Sequence, residues 1–337
     1  MFGLQPGVGE RRAVGASSHK SGVLDFMVMN NTAEKCLIVI AVCMIAGCGS
    51  DESDFDIAAF EADTMQWRAG RLERLKGPEG YLNLAGLFWL EEGSSRIGSA
   101  AENDIVFPAY AAPFIGELQT SEEGVELLAE PGVDVRHDDV PVKSILISDD
   151  TTENPVTVMH RSFAWTVIKR DGRFALRLRD FDHPAINAFP PIDYYPIDPA
   201  LRVIGTLQRY DTPRVVNVET VIEGLGYRPE SPGTVAFDIA GETYELEAYA
   251  SGDRLFFVFG DATSGRETYP AGRFLYADVP GEEGKTVMDF NRAYNPPCAF
   301  NDFATCPVAS PRNRLAAPVR AGEKYDPAVH STPDSHH

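Results

Sequence analysis

Three groups of polar residues in the last third of the chain have types and spacing suited to chemistry. They comprise Asp261, Ser264, Arg266, Glu267 and Arg273; then Asp289, Asn291, Arg292, Tyr294 and Asn295; and finally Arg312, Asn313, Arg314 and Arg320. Arginine offers a planar fork of donors that fits carboxylate or phosphate, and asparagine and tyrosine can orient a polar ligand. We therefore predict that a small polar or anionic ligand binds in this part of the chain. The predicted binding residues there are Arg266, Arg273, Asn291, Arg292, Tyr294 and Arg314.

The same residues allow two other interpretations. In one, Asp261 or Asp289 acts as a base with His183 while arginines stabilise an oxyanion, as in a hydrolase or lyase. In the other, the two aspartates pair with arginines to hold the irregular segment 289–323, because buried backbone without ladders needs such partners. The protein would then have a structural role in the cell envelope.

A further cluster of charged residues ends a predicted strand near the middle of the chain. Arg177 and Arg179 point to one face of this strand, and Asp180, Asp182 and His183 follow. Arg179 is a candidate ligand-binding residue, and His183 is a candidate general base. An arginine–aspartate pair at a strand end is more often structural, and a lone histidine is more often a hydrogen-bonded loop residue.

Composition and missing motifs exclude several classes of function. The formal net charge is −20, whereas nucleic-acid binding needs a basic surface. The chain has no GxSxG elbow, no HExxH, no GxxxxGK phosphate loop and no GxGxxG fingerprint. We therefore predict no nucleic-acid partner, no cofactor and no metal site.

The N-terminal region indicates export. Residues 36–48 read CLIVIAVCMIAGC, a short apolar run that follows a lysine and ends in small residues before a cysteine. This is the shape of a bacterial lipoprotein signal, and the run is short for a membrane span, which needs about 20 apolar residues. We predict that residues 1–47 are an over-called start plus the signal, that Cys48 carries lipid, and that residues 48–53 form a tether. The lipid would be the membrane contact, in an envelope protein facing the periplasm or the exterior; an uncleaved anchor helix is the alternative.

The cysteines then reduce to one pair. Cys36 and Cys43 would leave with the signal and Cys48 would carry lipid, so Cys298 and Cys306 remain. A pair of cysteines in an oxidising compartment predicts a disulfide. Zinc ligation is the alternative, although neither CxxC spacing nor a nearby histidine supports it.

The elements that must position these residues are mainly strands. One helix is predicted within residues 54–80, where an apolar face advances by three and four residues until Gly77-Pro78 ends it. Short alternating runs broken by Gly, Pro and Asp turns follow, and no helical crossover separates them. We predict a mainly β protein with two sandwich- or barrel-like units. Its predicted parts are a first unit at 81–180, a connection at 181–200, a second unit with a capping loop at 201–325, and a disordered tail at 326–337.

Two resemblances accompany this interpretation. The run from Ile97-Gly98 through Asn103-Asp104-Ile105 to Phe107 resembles the opening of a forkhead-associated-type sandwich. Ser99 stands where such domains carry arginine, and no Ser-x-x-His follows, so this resemblance implies a fold and not phosphothreonine binding.

The second resemblance covers most of the chain after the tether. Its motifs are YLNLAGLFWLEEG (81–93), ALRLRD (175–180), YYPIDPALRV (194–203), FGDATSGRETYPAGRFLY (259–276) and DFNRAYNPPCAFNDFATCP (289–307). They resemble the bacterial proteins grouped as domain of unknown function 1684. The resemblance implies no established activity, and cytosolic relatives would place the cysteine pair in a reducing setting.

Overall fold

Helix α1 (Ile57–Lys76) is the first element in the part of the chain that the structure describes. The computed structural model describes residues 55–327, so the predicted signal, Cys48, the tether and nearly all of the predicted tail lie outside the described residues. Phe60, Thr64, Arg71 and Leu75 form the buried face of α1, as their spacing predicts. Ile57, which also fits the spacing, is 52% exposed because it begins the first turn. The helix ends before Gly77-Pro78, because proline has no backbone N–H to donate and its ring clashes with the preceding helical turn.

The first β unit is built from eleven strands. They are β1 (Leu84–Trp89), β2 (Gly93–Gly98), β3 (Ile105–Val106), β4 (Gly116–Ser121), β5 (Gly124–Ala129), β6 (Arg136–His137), β7 (Val140–Pro141), β8 (Ser144–Ile147), β9 (Val158–His160), β10 (Phe163–Arg170) and β11 (Arg173–Asp180). One sheet has the order β1-β11-β10-β9-β6-β7 and the other has the order β3-β2-β4-β5-β8. Their inner faces share a core in which the rings of Phe107 and Trp165 meet edge to face, with centroids 5.5 Å apart.

The hairpin of β10 and β11 carries the arginines of the middle cluster. Asp171 and Gly172 form its tip with φ angles of 48° and 80°, as a two-residue type I′ turn requires. Arg177 pairs with Thr166 on one side and Leu87 on the other. The hairpin therefore holds Arg177 in a central strand, on the face opposite the sandwich core.

The connection between the β units contains two short helical turns that the sequence reading did not predict. They are α2 (Pro184–Ala188) and a 3-10 turn (Pro199–Leu201), each with proline at its first position. Both turns are too short to show a helical spacing of apolar residues. The many prolines of this connection therefore predicted only irregular chain.

The second β unit is a strongly curved sheet. Its strands are β12 (Arg202–Val215), β13 (Val218–Glu219), β14 (Gly226–Tyr227), β15 (Glu230–Ile239), β16 (Glu242–Ser251), β17 (Arg254–Phe259), β18 (Arg273–Asp278) and β19 (Lys285–Asp289). Six of them form one antiparallel sheet in the order β18-β17-β16-β15-β12-β19, and β13 pairs with β14 alone. The edge strands β18 and β19 lie beside one another, so the sheet is nearly a closed barrel.

The segment after β19 is irregular, as predicted, and has three 3-10 turns: Phe290–Arg292, Pro297–Ala299 and Pro311–Asn313. Leu315, Val319 and Ala321 from this segment enter the core of the second unit. The prediction of a mainly β protein with one long helix and multiple sheets is confirmed. Strand β19 was not predicted, because it directly precedes this segment and is only five residues long.

Candidate functional site

Asp261 and Arg273 form a buried ion pair, with 2.9 Å between Oδ2 and Nη2. Arg273 also donates to the carbonyl oxygens of Val319, at 2.8 Å, and Ala321. Oδ1 of Asp261 accepts from the N–H and the hydroxyl of Thr263 at 2.7 and 2.6 Å. Since only 1% of Arg273 is exposed, the pair fastens the C-terminal segment to the sheet, and Nε of Arg273, which has no partner, is sealed from solvent.

Asp289, Asn291 and Arg292 hold the start of the C-terminal segment. Asp289 caps the turn that follows it by accepting from the backbone N–H and Nδ2 of Asn291, both at 3.1 Å. Asn291 makes two further hydrogen bonds of 2.8 Å with the backbone of Asp198. Arg292 lies 3.3 Å from Asp289 and also pairs with Asp63 of α1. Burial raises the pKa of Asp289, although the bonds from Asn291 and the charge of Arg292 oppose this.

The remaining predicted residues of the second unit are dispersed. Arg266 is exposed and donates to the carbonyl oxygen of Ala262 at 2.6 Å. Arg314 is also exposed, and its side chain has no hydrogen bond or ion pair within residues 55–327. Tyr294 is half-buried and belongs to an aromatic group described below. The structure therefore does not bring the predicted arginines together around one opening.

The two candidates of the middle cluster are bonded to local backbone. Arg179 donates to the carbonyl oxygen of Gly80 and, at 2.6 Å, to Oδ1 of Asn83. His183 caps α2 by accepting from the N–H of Ala185 at 3.2 Å. No hydrogen bond or ion pair of the described chain joins His183 to Asp261 or Asp289.

Arg177 differs from these arginines. Its guanidinium has no hydrogen bond or ion pair in the described part of the chain, and its Nε is sealed from solvent. Asp150, the acid that acts on it electrostatically, is already held by Arg170 through bonds of 2.9 and 2.7 Å. Burial, with the charge of Arg170 added, lowers the pKa of Arg177 to about 10. At neutral pH Arg177 is thus a half-buried cation with no hydrogen bond or ion pair of its own among the described residues, and the charge of Asp150 acts on it without pairing with it.

The charge of Arg177 acts on Tyr81. Tyr81 is one of four half-buried tyrosines, which we call the tyrosine cluster: Tyr81, Tyr227, Tyr276 and Tyr294. They pack against apolar side chains, including Leu84, Val218, Phe256, Val258 and Phe274. The rings of Tyr276 and Tyr294 are almost parallel, at 12°, with centroids 6.5 Å apart. Tyr276 also acts electrostatically on Tyr81 and Tyr227, so it is central to the cluster.

The four hydroxyl groups are unused. None of them has a hydrogen-bond partner among residues 55–327, and none is sealed from solvent. Burial raises the pKa of Tyr81 and of Tyr294, and raises the pKa of Tyr227 to about 12. At neutral pH these three groups are therefore uncharged hydroxyls that can donate a hydrogen bond.

Tyr81 connects the tyrosine cluster to the arginines. It precedes β1, and its hydroxyl senses the charges of Arg71, Arg177 and Arg179 as well as the hydroxyl of Tyr276. The first β unit thus contributes the cation, and the second contributes most of the aromatic rings. Small-molecule sites commonly combine apolar walls with a few polar groups, which is the composition of this boundary.

Arg71 and Glu323 form the neighbouring wall. Their side chains make a 3.0 Å ion pair, and the Arg71 guanidinium lies 4.6 Å from the ring centroid of Tyr294. Glycine at position 322, next to Glu323, lets the C-terminal segment pass close to the backbone of Ala293. The φ of Gly322 is 77°, and a Cβ there would lie 2.3 Å from the carbonyl oxygen of Ala293. Glu323 neutralises Arg71, whereas Arg177 has no ion pair among residues 55–327, and neither has Arg254, whose guanidinium lies 4.3 Å from the ring centroid of Tyr276.

Sequence reasoning placed Tyr294 among the candidates and missed the other three tyrosines. Tyr81 and Tyr276 do lie in the quoted motifs 81–93 and 259–276, which was an available signal. Tyr227 follows a short turn, and nothing in its local sequence connects it to the others. In the sequence these tyrosines look like ordinary strand residues. Only the fold shows that they lie together where the two β units meet.

Other chemical features near the site are limited. A disulfide joins Cys298 and Cys306, and Cys298 packs beside the tyrosine cluster. Within residues 55–327, no three His, Cys, Asp or Glu side chains are grouped so that they could hold a metal ion. The helices of the described chain include none that is both long and apolar enough to cross a bilayer.

The fold and the site define a mainly β protein with an unpaired cation and an aromatic surface where two β units meet. Residues 187–324 match the model of a family described as "Protein of unknown function (DUF1684)", which confirms the predicted resemblance. The matched range includes the whole second β unit, while the motifs at 81–93 and 175–180 lie before it. The family description assigns no activity.

No curated protein matches the chain. A solution NMR structure of an uncharacterized protein from Haloarcula marismortui is 29% identical, covers 44% of this chain and 80% of its own, and superposes with a TM-score of 0.35.

Proposed function

We propose that this chain is a binding protein for a small anionic ligand held at Arg177 and the tyrosine cluster. The observation that carries the proposal is the half-buried guanidinium of Arg177, which has no hydrogen bond or ion pair among the described residues and whose Nε is sealed from solvent. Burying a charge without a partner costs several kcal/mol, so such a group needs another source of compensation. An anion that inserts its oxygen atoms between the guanidinium and the tyrosine hydroxyls supplies it.

The cation of the proposed site lies in the first β unit, two positions from the predicted residue Arg179, whereas the other predicted binding residues lie in the second unit. Four of the predicted residues form ion pairs or hydrogen bonds within the protein, which favours a structural role for them: Asp261, Arg273, Asp289 and Asn291. Tyr294 belongs both to the binding residues predicted from the sequence and to the tyrosine cluster. The proposal therefore keeps the predicted ligand chemistry and moves its cation to Arg177.

A ligand that binds only the folded state raises the melting temperature, by an amount equivalent to about 2.7 kcal/mol at a hundredfold excess over its Kd. A panel of small anions, including inorganic phosphate, acetate and benzoate, is screened by thermal shift with the full chain. At least one anion should stabilise the wild type and Arg314→Met, an exposed arginine that serves as the matched control. The same anion should not stabilise Arg177→Met. Equal stabilisation of all three proteins, or of none, would overturn the proposal.

We further propose that the protein acts at the bacterial cell envelope, anchored by lipid on Cys48. The support is the sequence CLIVIAVCMIAGC, with its small residues before a cysteine. Mass spectrometry of the mature protein should find a diacylglyceryl cysteine at the N-terminus. The variant Cys48→Ala should remain unmodified and leave the membrane fraction. An unmodified N-terminus at any other position would rule out the anchor.

A further inference from the structure

The disulfide between Cys298 and Cys306 has hydrogen bonds that a purely structural crosslink does not need. The N–H of Cys298 donates to Sγ of Cys306 at 3.2 Å, and the N–H of Cys306 donates to Sγ of Cys298 at 3.3 Å. Such donors stabilise the negative charge that a sulfur carries when the disulfide opens, which favours the thiolate over the thiol. A sulfur that leaves readily as a thiolate also speeds thiol–disulfide exchange. Each sulfur is therefore prepared to become a thiolate in the folded protein.

The two cysteines differ in how a reagent can reach them. Cys306 is 2% exposed and belongs to the buried core beside the tyrosine cluster. Cys298 is only partly buried and packs against that core. A thiolate that approaches the folded chain therefore meets Cys298 first, and Cys306 becomes the leaving group.

Contacts that do not use the S–S bond hold both cysteines in place. The hydroxyl of Tyr269 donates to the carbonyl oxygen of Cys298 at 3.1 Å, and the N–H of Val221 donates to the carbonyl oxygen of Cys306 at 2.9 Å. The carbonyl oxygen of Ala304 lies 3.4 Å from Sγ of Cys298, where it can accept from the thiol after reduction. The reduced pair thus stays within reach, and residues 55–327 contain no other cysteine that could pair with either.

We infer that Cys298–Cys306 is a thiol–disulfide exchange site whose reaction partner is a dithiol reductant. One thiolate of the dithiol attacks Sγ of Cys298, the S–S bond breaks, and Cys306 leaves as a thiolate. The second thiolate of the reductant then attacks its own sulfur in the mixed disulfide and expels Cys298. Two electrons pass to the protein, the protons lost by the dithiol end on the two cysteines, and the reductant becomes a disulfide.

A monothiol should complete this reaction poorly. It forms a mixed disulfide with Cys298, and Cys306, whose Cα lies 6.1 Å from that of Cys298, attacks this bond and restores the original disulfide. A dithiol avoids the reversal because its own second thiol competes with Cys306.

Reduction would also change what the loop between the cysteines holds. Asn301, inside this loop, donates from Nδ2 to the carbonyl oxygen of Tyr81 at 2.9 Å, so the redox state would reach the tyrosine cluster. The exchange site needs no anion at Arg177, and it therefore stands or falls separately from the proposed function.

The test follows the full chain in reductant, with free thiols trapped by alkylation and assigned by peptide mass spectrometry. Dithiothreitol should reduce the wild type in the absence of urea, at a rate that rises in proportion to its concentration, because the folded state is attacked. Glutathione at the same thiol concentration should give net reduction about tenfold slower or less.

Two single-cysteine variants identify the sulfur that is attacked. Glutathione disulfide should modify Cys298 in Cys306→Ser, and should modify Cys306 in Cys298→Ser about tenfold more slowly, because Cys306 is 2% exposed. Circular dichroism checks that each variant is folded, and the wild-type kinetics decide by themselves if one is not.

Three results would overturn parts of this inference. A reduction rate that stays constant as dithiothreitol rises, and that increases with urea, would show that the disulfide opens only by unfolding and is not an exchange site. Equal reactivity of the two single cysteines would overturn Cys298 as the attacked sulfur. Glutathione as effective as dithiothreitol would overturn the dithiol partner.

Discussion

Arg71 and Glu323 are 252 positions apart in the sequence and form a buried ion pair with 3.0 Å between Nε and Oε1. The backbone of Asn295 completes the arrangement: its N–H donates to Glu323 at 2.7 Å, and its carbonyl oxygen accepts from Arg71 at 2.9 Å. The next residue toward the N-terminus is Tyr294, whose ring lies under the Arg71 guanidinium. One ion pair thus joins α1 to the C-terminal segment and positions a wall of the tyrosine cluster.

Removing the charge of Glu323 should destabilise the protein strongly. The variant Glu323→Gln leaves Arg71 as a buried cation, and breaking one side of such a pair typically costs about 3–5 kcal/mol. Urea unfolding of the purified chain gives the change in the free energy of unfolding. The exposed pair Arg136–Asp134 supplies the control, since Asp134→Asn should change stability by about 0.5 kcal/mol. Similar effects at both sites would show that the buried pair is not a stabilising link.

Reduction of the disulfide should loosen the segment beside the tyrosine cluster. Cys298 and Cys306 are eight positions apart, and closing a loop of this size stabilises a protein by about 2–3 kcal/mol through the entropy of the unfolded chain. The double variant Cys298→Ser/Cys306→Ser should lose about this amount in urea unfolding, and wild type in dithiothreitol should lose the same. Wild type that is insensitive to reductant, with a double variant of unchanged stability, would contradict the prediction.

The raised tyrosine pKa values predict a particular form of alkaline unfolding. Burial, aided by Tyr276 and Tyr249, raises the pKa of Tyr227 to about 12 from its ordinary value of 10.0. The folded state then keeps a proton that the unfolded state loses, so the contribution is fully present below pH 10 and falls as the pH rises toward 12. Tyrosinate absorbance should titrate in the native protein at a higher pH than in denaturant. Tyr227→Phe should flatten the loss of stability in this window, while Tyr110→Phe, in the first unit, should not alter the titration of the cluster.

The sequence predicted the elements better than the site, for reasons visible in particular residues. Alternation and turn residues predict the short strands of the first unit, and Asp171-Gly172, at the tip of the β10–β11 hairpin, is a local turn signal of this kind. Local signals also marked the end of α1 at Gly77-Pro78. Asp261 and Arg273 looked functional because their types suit a ligand, and only the fold shows that each is the partner of the other. Arg177 looked structural because two aspartates follow it closely, and only the fold shows that neither reaches it.

Arg177 is half-buried and Arg273 is fully buried, and the proposed function predicts opposite effects when each is replaced. Arg273→Met should lower the free energy of unfolding by about 3–5 kcal/mol, because it strands Asp261 and the carbonyl oxygens of Val319 and Ala321. Arg177→Met should leave stability unchanged or raise it by about 1 kcal/mol, because it removes a charge that has no hydrogen bond or ion pair in the described chain. Urea unfolding without added anion measures both, and circular dichroism checks that the folds are unaltered. A residue kept for binding at a cost in stability gives this pattern, whereas a loss of stability in Arg177→Met equal to that in Arg273→Met would identify Arg177 as another structural arginine.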